Sequence, residues 1–150
     1  MKTFKKILFP VDLSPSSAKI VPFVQTMATQ FDAAVHMVFA ARVFEYFQSI
    51  YVPHPSINLF EEEIVKGATR RIEEFSEEHF SSYQGTQTAV VLGDAAEVIL
   101  TAIREKGIDM LIMGTHGRKG LDKVIFGSVA ERVIKACPVP MFIINPNTTV

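Results

Sequence analysis

The sequence predicts an α/β protein: a doubly wound sheet of five parallel strands with helices on both faces. Three observations lead to this fold class. Short apolar runs alternate with longer segments of helical periodicity along the 150 residues. The runs are apolar at consecutive positions, as in strands covered on both faces. Glycine, serine or aspartate follows several of them, where a strand gives way to a loop or helix. Strand–helix alternation of this kind indicates a parallel sheet with right-handed crossovers.

The first strand and helix are marked by residues 7–17. Residues 7–11 (ILFPV) form a mostly apolar strand that ends at Asp12. Ser14 is a suitable N-cap and Pro15 a suitable first helical residue, and apolar residues spaced three and four apart follow. Pro22 lies inside this helix, where it removes a hydrogen bond and is able to bend the axis. We therefore expect a strand, a short turn and a long helix.

The middle of the chain contains two further strands and a helix. Residues 33–40 and 86–92 are apolar enough for the second and third strands, and residues 59–80 show helical spacing. Residues 42–58 have no clean period and include two prolines, so we expect a long loop there. Its aromatic residues suit a lid over a ligand, although a simple connector explains the composition almost as well. Equal proteolysis of this loop with and without a bound ligand would contradict the lid.

The second half of the chain begins with a well-marked helix. Asp94 and Glu97 have capping-box spacing, and Gly107 is placed to end the helix. Residues 110–113 form the fourth strand and residues 139–144 the fifth. Pro140 lacks an amide proton and is therefore tolerated only near the start of a strand or in an edge strand.

Between the last two strands lies the segment that predicts a function. A strand runs into a glycine-containing loop, and a helix begins near Ser128. The first amides of a helix have no intrahelical partner, and glycines let an anion approach the backbone closely, so this arrangement suits a phosphate chain. Neither a P-loop nor a G-x-G-x-x-G pattern is present. The alternatives are that Gly114, Gly117 and Gly127 serve only turn geometry, and that Ser128 with Glu131 forms only a capping box.

The spacing of these glycines is similar to a known signature. Gly114-x-x-Gly117, nine residues, then Gly127-Ser128 resembles the nucleotide-binding signature of the ATP-binding branch of the universal stress protein family. The ACPVP sequence at residues 136–140, Pro-Val-Asp at residues 10–12 and VLGDAAEVI at residues 91–99 extend the resemblance over nearly the whole chain. The resemblance implies the strand order 3-2-1-4-5, and it implies ATP, or AMP or ADP, as the ligand, with Mg as its companion ion.

The resemblance also implies roles for individual residues. Asp12, in its Pro-x-Asp motif, is expected at the nucleoside end, and the backbone of Ala40 is expected to hold the adenine. The Ser128 hydroxyl and the amides of Ser128 and Val129 are expected to meet the phosphates. Apart from the resemblance, His116, Arg118 and Lys119 are interpreted as solvated loop residues, and Arg118 or Lys119 is also suited to neutralise phosphate charge. The full set of expected nucleotide-binding residues is Pro10, Val11, Asp12, Ala40, Met113, Gly114, Gly117, Arg118, Gly127, Ser128 and Val129.

Composition narrows the class of protein. Residues 1–150 offer ample apolar material (48%) for a single domain, and no composition break marks a second one. The net charge of −1 and the scattered basic residues favour neither nucleic acid nor a membrane surface as a partner. A single cysteine, Cys137, and the lack of a long apolar stretch make a soluble cytoplasmic protein the expectation.

The functional hypotheses follow from what the signature lacks. With no Walker lysine, arginine-finger signal, catalytic triad or metal-ligand spacing, we expect no catalytic residue of an efficient hydrolase and no protein metal site. The first hypothesis is an ATP-binding switch of a stress response, with slow hydrolysis at most. An enzyme of the adenine-nucleotide α-hydrolase class and a nucleotide-free dimeric interaction module remain alternatives. The apolar edge strand predicts a homodimer, as the family resemblance also implies.

Overall fold

The chain folds into alternating strands and helices. The computed structural model describes residues 1–42, 54–116 and 126–148, with residues 54–57 described by their backbone alone. Within these ranges there are five strands and four helices. In chain order they are β1 (Lys6–Pro10), α1 (Pro15–Phe31), β2 (Ala34–Ala41), α2 (His54–Phe80), β3 (Gln87–Leu92), α3 (Ala95–Lys106), β4 (Met110–Gly114), α4 (Ser128–Ala136) and β5 (Met141–Ile144).

The strands form one parallel sheet in the order β3-β2-β1-β4-β5. Leu8 of β1 lies beside His36 of β2 on one side and Leu111 of β4 on the other. Strands β3 and β5 complete the sheet as its two edges, each in parallel register with its neighbour. The predicted fold class and the strand order implied by the family resemblance are confirmed.

Successive strand residues bury their side chains on opposite faces of the sheet. Ile7 and Phe9 pack with α1 and α2, whereas Leu8 packs with α3 and α4. The same alternation continues in the neighbouring strands, where Met37 faces the first layer and Val38 the second. Burial on both faces explains why the central strands are apolar at most positions, with His36 of β2 as a buried polar exception.

The helix ends of α1 and α3 agree with their sequence signals. Ser14 caps α1 by accepting a hydrogen bond from the Ser16 amide, and the helix continues through Pro22 without interruption. Asp94 caps α3 by accepting from the Glu97 amide at 3.1 Å. Gly107 ends α3 in the left-handed conformation, with φ of 63°, which a glycine adopts without steric cost.

Several predicted boundaries were wrong. Helix α2 begins at His54, five residues before the predicted start, because a proline is tolerated in the first turn of a helix and Pro55 lies there. Residues 54–58 of the predicted loop are therefore helical, and residues 43–53, with the proposed lid, lie outside the described residues. Strand β2 is displaced by one residue, and β3 begins one residue late. Strand β5 begins at Met141, because Pro140 supplies only its carbonyl, which accepts from the Leu111 amide at 3.0 Å.

Candidate functional site

A cleft lies beyond the carboxyl ends of β1, β2 and β4. Strand β1 leads into a helix that packs on one face of the sheet, and β4 precedes a helix that packs on the other. The chain therefore diverges between two adjacent strands, which is where doubly wound sheets bind ligands. The cleft measures about 510 Å³, within the usual range for a small-molecule site. Of the predicted binding residues, it is lined by Pro10, Val11, Asp12, Ala40, Met113, Gly114, Gly127, Ser128 and Val129.

The cleft thus brings together every predicted site residue that the structure describes. Gly117 and Arg118 lie outside the described residues, as does Lys119. The two halves of the site are about one hundred residues apart in the chain. They meet because β1 and β4 are neighbours in the sheet.

Asp12 is held in a fixed orientation by the turn that follows β1. Its Oδ1 accepts hydrogen bonds from the Ser14 amide at 2.9 Å, the Ser14 hydroxyl at 2.6 Å and the Ser17 hydroxyl at 2.7 Å. The Asp12 amide donates to the Ser17 hydroxyl at 3.0 Å. In contrast, Oδ2 is buried and has no hydrogen-bond partner among the described residues. A buried carboxylate oxygen without a donor is costly, so this atom marks a position where a ligand donor would be stabilising.

The turn itself is strained. Leu13, between Asp12 and the α1 cap, has φ of 60°, a conformation that costs an ordinary side chain roughly 1 kcal/mol or more. Arg71 of α2 donates to the Leu13 carbonyl at 3.1 Å and so ties this turn to the neighbouring helix. Strain of this kind persists where surrounding contacts hold it, and here it keeps Asp12 at the cleft.

Gly127, rather than Ser128, caps α4. The Gly127 carbonyl accepts a hydrogen bond from the Glu131 amide at 3.0 Å, which is the first bond of the helix. The amides of Ser128, Val129 and Ala130 come before it and donate no such intrahelical bond. No side chain caps this helix. The predicted Ser128–Glu131 capping box is therefore wrong, and the exposed Ser128 hydroxyl remains available at the cleft.

Close contacts explain two of the glycines. Gly127 has φ of −67°, so it does not need the left-handed region. A Cβ at this position would lie 3.1 Å from the Thr115 carbonyl oxygen, to which the Gly127 amide donates at 2.7 Å. A Cβ at Gly114 would lie 2.8 Å from Ile20 Cδ1 and 3.2 Å from the His116 carbonyl. Both glycines therefore permit β4 and α4 to approach their neighbours at the base of the cleft.

His116 is not the solvated loop residue that the sequence suggested. It is 8% exposed, lines the cleft, and its Nδ1 lies 2.8 Å from the Thr115 hydroxyl in a hydrogen bond. The reason for the difference is that the chain continues inward for two residues after β4 before it leaves the sheet.

Two arginines and an aspartate at the cleft were not predicted as site residues. Arg42 follows β2, Arg132 lies in α4, and both line the cleft and donate to Asp94 Oδ1; the Arg132 bond is 2.8 Å long. The pKa of Asp94 is lowered to about 2, chiefly by the hydrogen bond from Arg132. Hydrogen bonds from the Glu97 amide and Arg42 also lower it, whereas partial burial acts to raise it. The one sequence signal was that Arg132 follows Ser128 by four residues, on the same helix face.

The remaining reactive groups do not gather into a second centre. In the described ranges no three histidine, cysteine or acidic residues stand close enough to hold a metal ion. The Cys137 thiol is half-buried, donates to the Val139 carbonyl at 3.4 Å, and has its pKa raised by burial. None of the described helices is both long and apolar enough to cross a bilayer.

The fold and site define a doubly wound α/β protein with a small-molecule cleft at the switch point of its sheet. The chain belongs to the universal stress protein family, whose model matches residues 3–145. Universal stress protein MJ0531 of Methanocaldococcus jannaschii is 30% identical over 148 residues, which cover 95% of this chain and 82% of that protein.

Solved structures share the fold. The structure of MJ0577, also from Methanocaldococcus jannaschii, superposes with a TM-score of 0.85 at 24% identity and covers 96% of this chain and 97% of that one. A universal stress protein family protein from Arabidopsis thaliana, solved with AMP bound, has a TM-score of 0.66 at 16% identity, with coverage of 96% and 93%.

Proposed function

We propose that the chain is a single nucleotide-binding domain that binds ATP in this cleft and acts as a nucleotide-dependent switch in a stress response. The proposal rests on two sets of unsatisfied hydrogen-bonding groups that lie in the same cleft. Asp12 Oδ2 is a buried carboxylate oxygen with no donor among the described residues. The first amides of α4 precede its first intrahelical hydrogen bond and have no side-chain cap in the part of the chain that the structure describes. A nucleotide supplies partners for both, since its ribose hydroxyls donate and its phosphates accept. The AMP found in the related Arabidopsis structure supports an adenine nucleotide.

The nucleoside is assigned to the side of the cleft formed by β1 and β2. Asp12 Oδ2 would accept from a ribose hydroxyl, while Oδ1 keeps its three donors from the serine turn. The apolar side chains of Val38, Val98 and Ile99 line the same cleft and suit the flat, weakly polar faces of adenine. The backbone of Ala40 would contact the edge of the base.

The phosphates are assigned to the start of α4. The amides of Ser128 and Val129 and the Ser128 hydroxyl are the donors, and the helix dipole adds partial positive charge. Mg²⁺ fits such a site, because it takes most of its ligands from phosphates and water and needs few protein carboxylates. We assign no catalytic residue, and we expect hydrolysis to be slow at most because the sequence has no Walker lysine.

We further propose that the protein works in the cytoplasm as a homodimer joined through β5. This strand is an edge of the sheet, and Phe142 on it is 45% exposed. An apolar edge strand left uncovered favours association with another chain. Pairing of two copies would cover it.

Mass spectrometry of nucleotide released from the purified protein tests the proposed ligand, and calorimetry with ATP and adenosine measures the affinity. Asp12→Asn should lower the affinity for both ligands by about ten- to a hundredfold, because it removes one charged hydrogen-bond acceptor. Asp32→Asn is the matched control: Asp32 has φ of 51° at the far end of α1, where asparagine is equally suitable.

Two results would contradict the proposal. If no nucleotide is released and none binds, the chain is an interaction module without nucleotide. If ATP turns over rapidly with a second substrate, the chain is an enzyme of the adenine-nucleotide α-hydrolase class.

A further inference from the structure

Three segments far apart in the sequence converge at the cleft through one carboxylate. Asp94 Oδ2 accepts from the Glu97 amide and so caps α3, while Oδ1 accepts from both Arg42 and Arg132. The side chain of Asp94 is 22% exposed, whereas those of Arg42 and Arg132 are 46% and 51% exposed. The acid is therefore held by its helix cap, and the two arginine side chains are about half exposed.

The arrangement around Oδ1 is that of an anion site. A single negatively charged oxygen is held by two arginines, which is also how proteins bind a phosphate oxygen. Among the described lining residues of the cleft, Arg42 and Arg132 are the cationic side chains. Arg132 lies one helical turn after Ser128, so the two side chains start about 6 Å apart on the same face. The arginine is thus within reach of an anion bound at the start of α4.

We propose that Asp94 takes the place of a phosphate oxygen in the nucleotide-free protein, and that Arg42 and Arg132 leave it for the terminal phosphates of a nucleoside polyphosphate. Asp94 is then a built-in competitor, and the two arginines select nucleotides by the number of their phosphates. This inference rests on the proposed function, because it concerns the same cleft. It further identifies the residues that determine specificity for the phosphates of the nucleotide.

The charges favour such an exchange. Ion pairs as exposed as these are screened by water and contribute little, so Asp94 holds the arginines only weakly. A terminal phosphate carries more charge than a carboxylate and binds the fork of a guanidinium with two hydrogen bonds. A nucleoside has no phosphate oxygen to offer and leaves the arginines with Asp94. The low pKa of Asp94 keeps the competitor charged throughout the physiological pH range.

The test is the ratio of the dissociation constant of adenosine to that of ATP, measured by calorimetry at low salt. Asp94→Asn removes the competing charge and preserves the helix cap, since asparagine is an equally good N-cap. This variant should raise the ratio about two- to fivefold, the range expected for losing an exposed ion pair. Arg132→Gln should lower the ratio about tenfold, and Arg132→Lys should recover part of the loss. In Asp94→Asn/Arg132→Gln the gain from the first change should be much smaller, because the arginine it releases is absent.

The matched controls are Glu131→Gln and Lys135→Gln. These two residues form an exposed ion pair on α4 and do not line the cleft. Their substitutions change the net charge by the same amounts as Asp94→Asn and Arg132→Gln. If Glu131→Gln raises the ratio as much as Asp94→Asn, the change comes from the general electrostatic field, and the proposed competition by Asp94 is wrong. An unchanged or lower ratio in Asp94→Asn also overturns the inference.

The outcome for wild-type protein separates this inference from the proposed function. If wild type binds adenosine and ATP but Asp94→Asn leaves their ratio unchanged, only the competitor role fails. If wild type binds neither ligand, the proposed function fails and the inference falls with it.

Discussion

Replacing Gly127 by valine is the sharpest test of the phosphate end of the cleft. Gly127 lies in extended backbone that valine adopts readily, so backbone strain is not the reason for the effect. The new Cβ would lie 3.1 Å from the Thr115 carbonyl oxygen, closer than ordinary van der Waals contact, and the branch methyls add further bulk. The start of α4 must therefore move away from the end of β4 by a few tenths of an ångström or more, and its amides move with it.

The expected loss of affinity follows from the hydrogen bonds affected. Each amide–phosphate bond is charge-assisted and contributes about 1.5–3 kcal/mol. Losing one or two should weaken ATP binding by roughly ten- to a thousandfold, at about 1.4 kcal/mol per factor of ten. Fold and dimer should survive, although overpacking at the Thr115 carbonyl will cost about 1–3 kcal/mol of the free energy of unfolding.

Calorimetry with ATP and thermal unfolding should be measured on the same preparations. Gly67→Val is the matched control, because Gly67 is exposed in α2 and a Cβ there meets nothing within 4 Å. Valine has a somewhat higher helix propensity than glycine, so this control should be neutral or slightly stabilising. If Gly127→Val binds ATP as tightly as wild type, the phosphates do not lie at this helix, and the reasoning is refuted.

Two further predictions concern the dimer and the response to acid. The 16.7 kDa chain should sediment as a dimer at micromolar concentration, and Phe142→Lys on the exposed β5 edge should shift it to monomer; a monomeric wild type would exclude the β5 dimer. His36, 6% exposed with an unpartnered Nδ1, has its pKa lowered by burial and by the charges of Lys106 and Lys6. The folded state therefore disfavours the protonated ring, and the free energy of unfolding should fall as pH drops below about 6.5, by at most about 1.4 kcal/mol per pH unit from this group. Urea unfolding at pH 7.5 and 5.5 should show a smaller fall in His36→Leu, and an equal fall would remove His36 as the cause.

Sequence alone was sufficient where the determining interactions are local. The central strands are buried on both faces, and this produces continuous apolar runs that can be recognised without their neighbours. The caps at Ser14, Asp94 and Gly107 act over two to four residues, so their spacing identified them correctly. The glycine signature indicated one side of the cleft for the same reason, since a strand, its following residues and a helix start lie in one segment.

What the sequence could not provide depends on contacts between distant segments. An apolar run does not identify its partner strands, so the order of the sheet came from the family resemblance and is confirmed by the structure. Ser128 had every local feature of an N-cap. In the structure Gly127 takes the N-cap position instead. Its amide donates a hydrogen bond to the carbonyl of Thr115, which lies twelve residues earlier in the chain.

The electrostatics of the cleft were decided by the tertiary structure alone. Asp94 is recognisable as a helix cap, but its two arginines come from the end of β2 and from α4, 52 residues before it and 38 residues after it. Likewise, the serine turn satisfies only one oxygen of Asp12, and the other is buried without a donor among the described residues. Charge and burial act through space, so their effect at one residue is set only when the sheet has brought its neighbours into place.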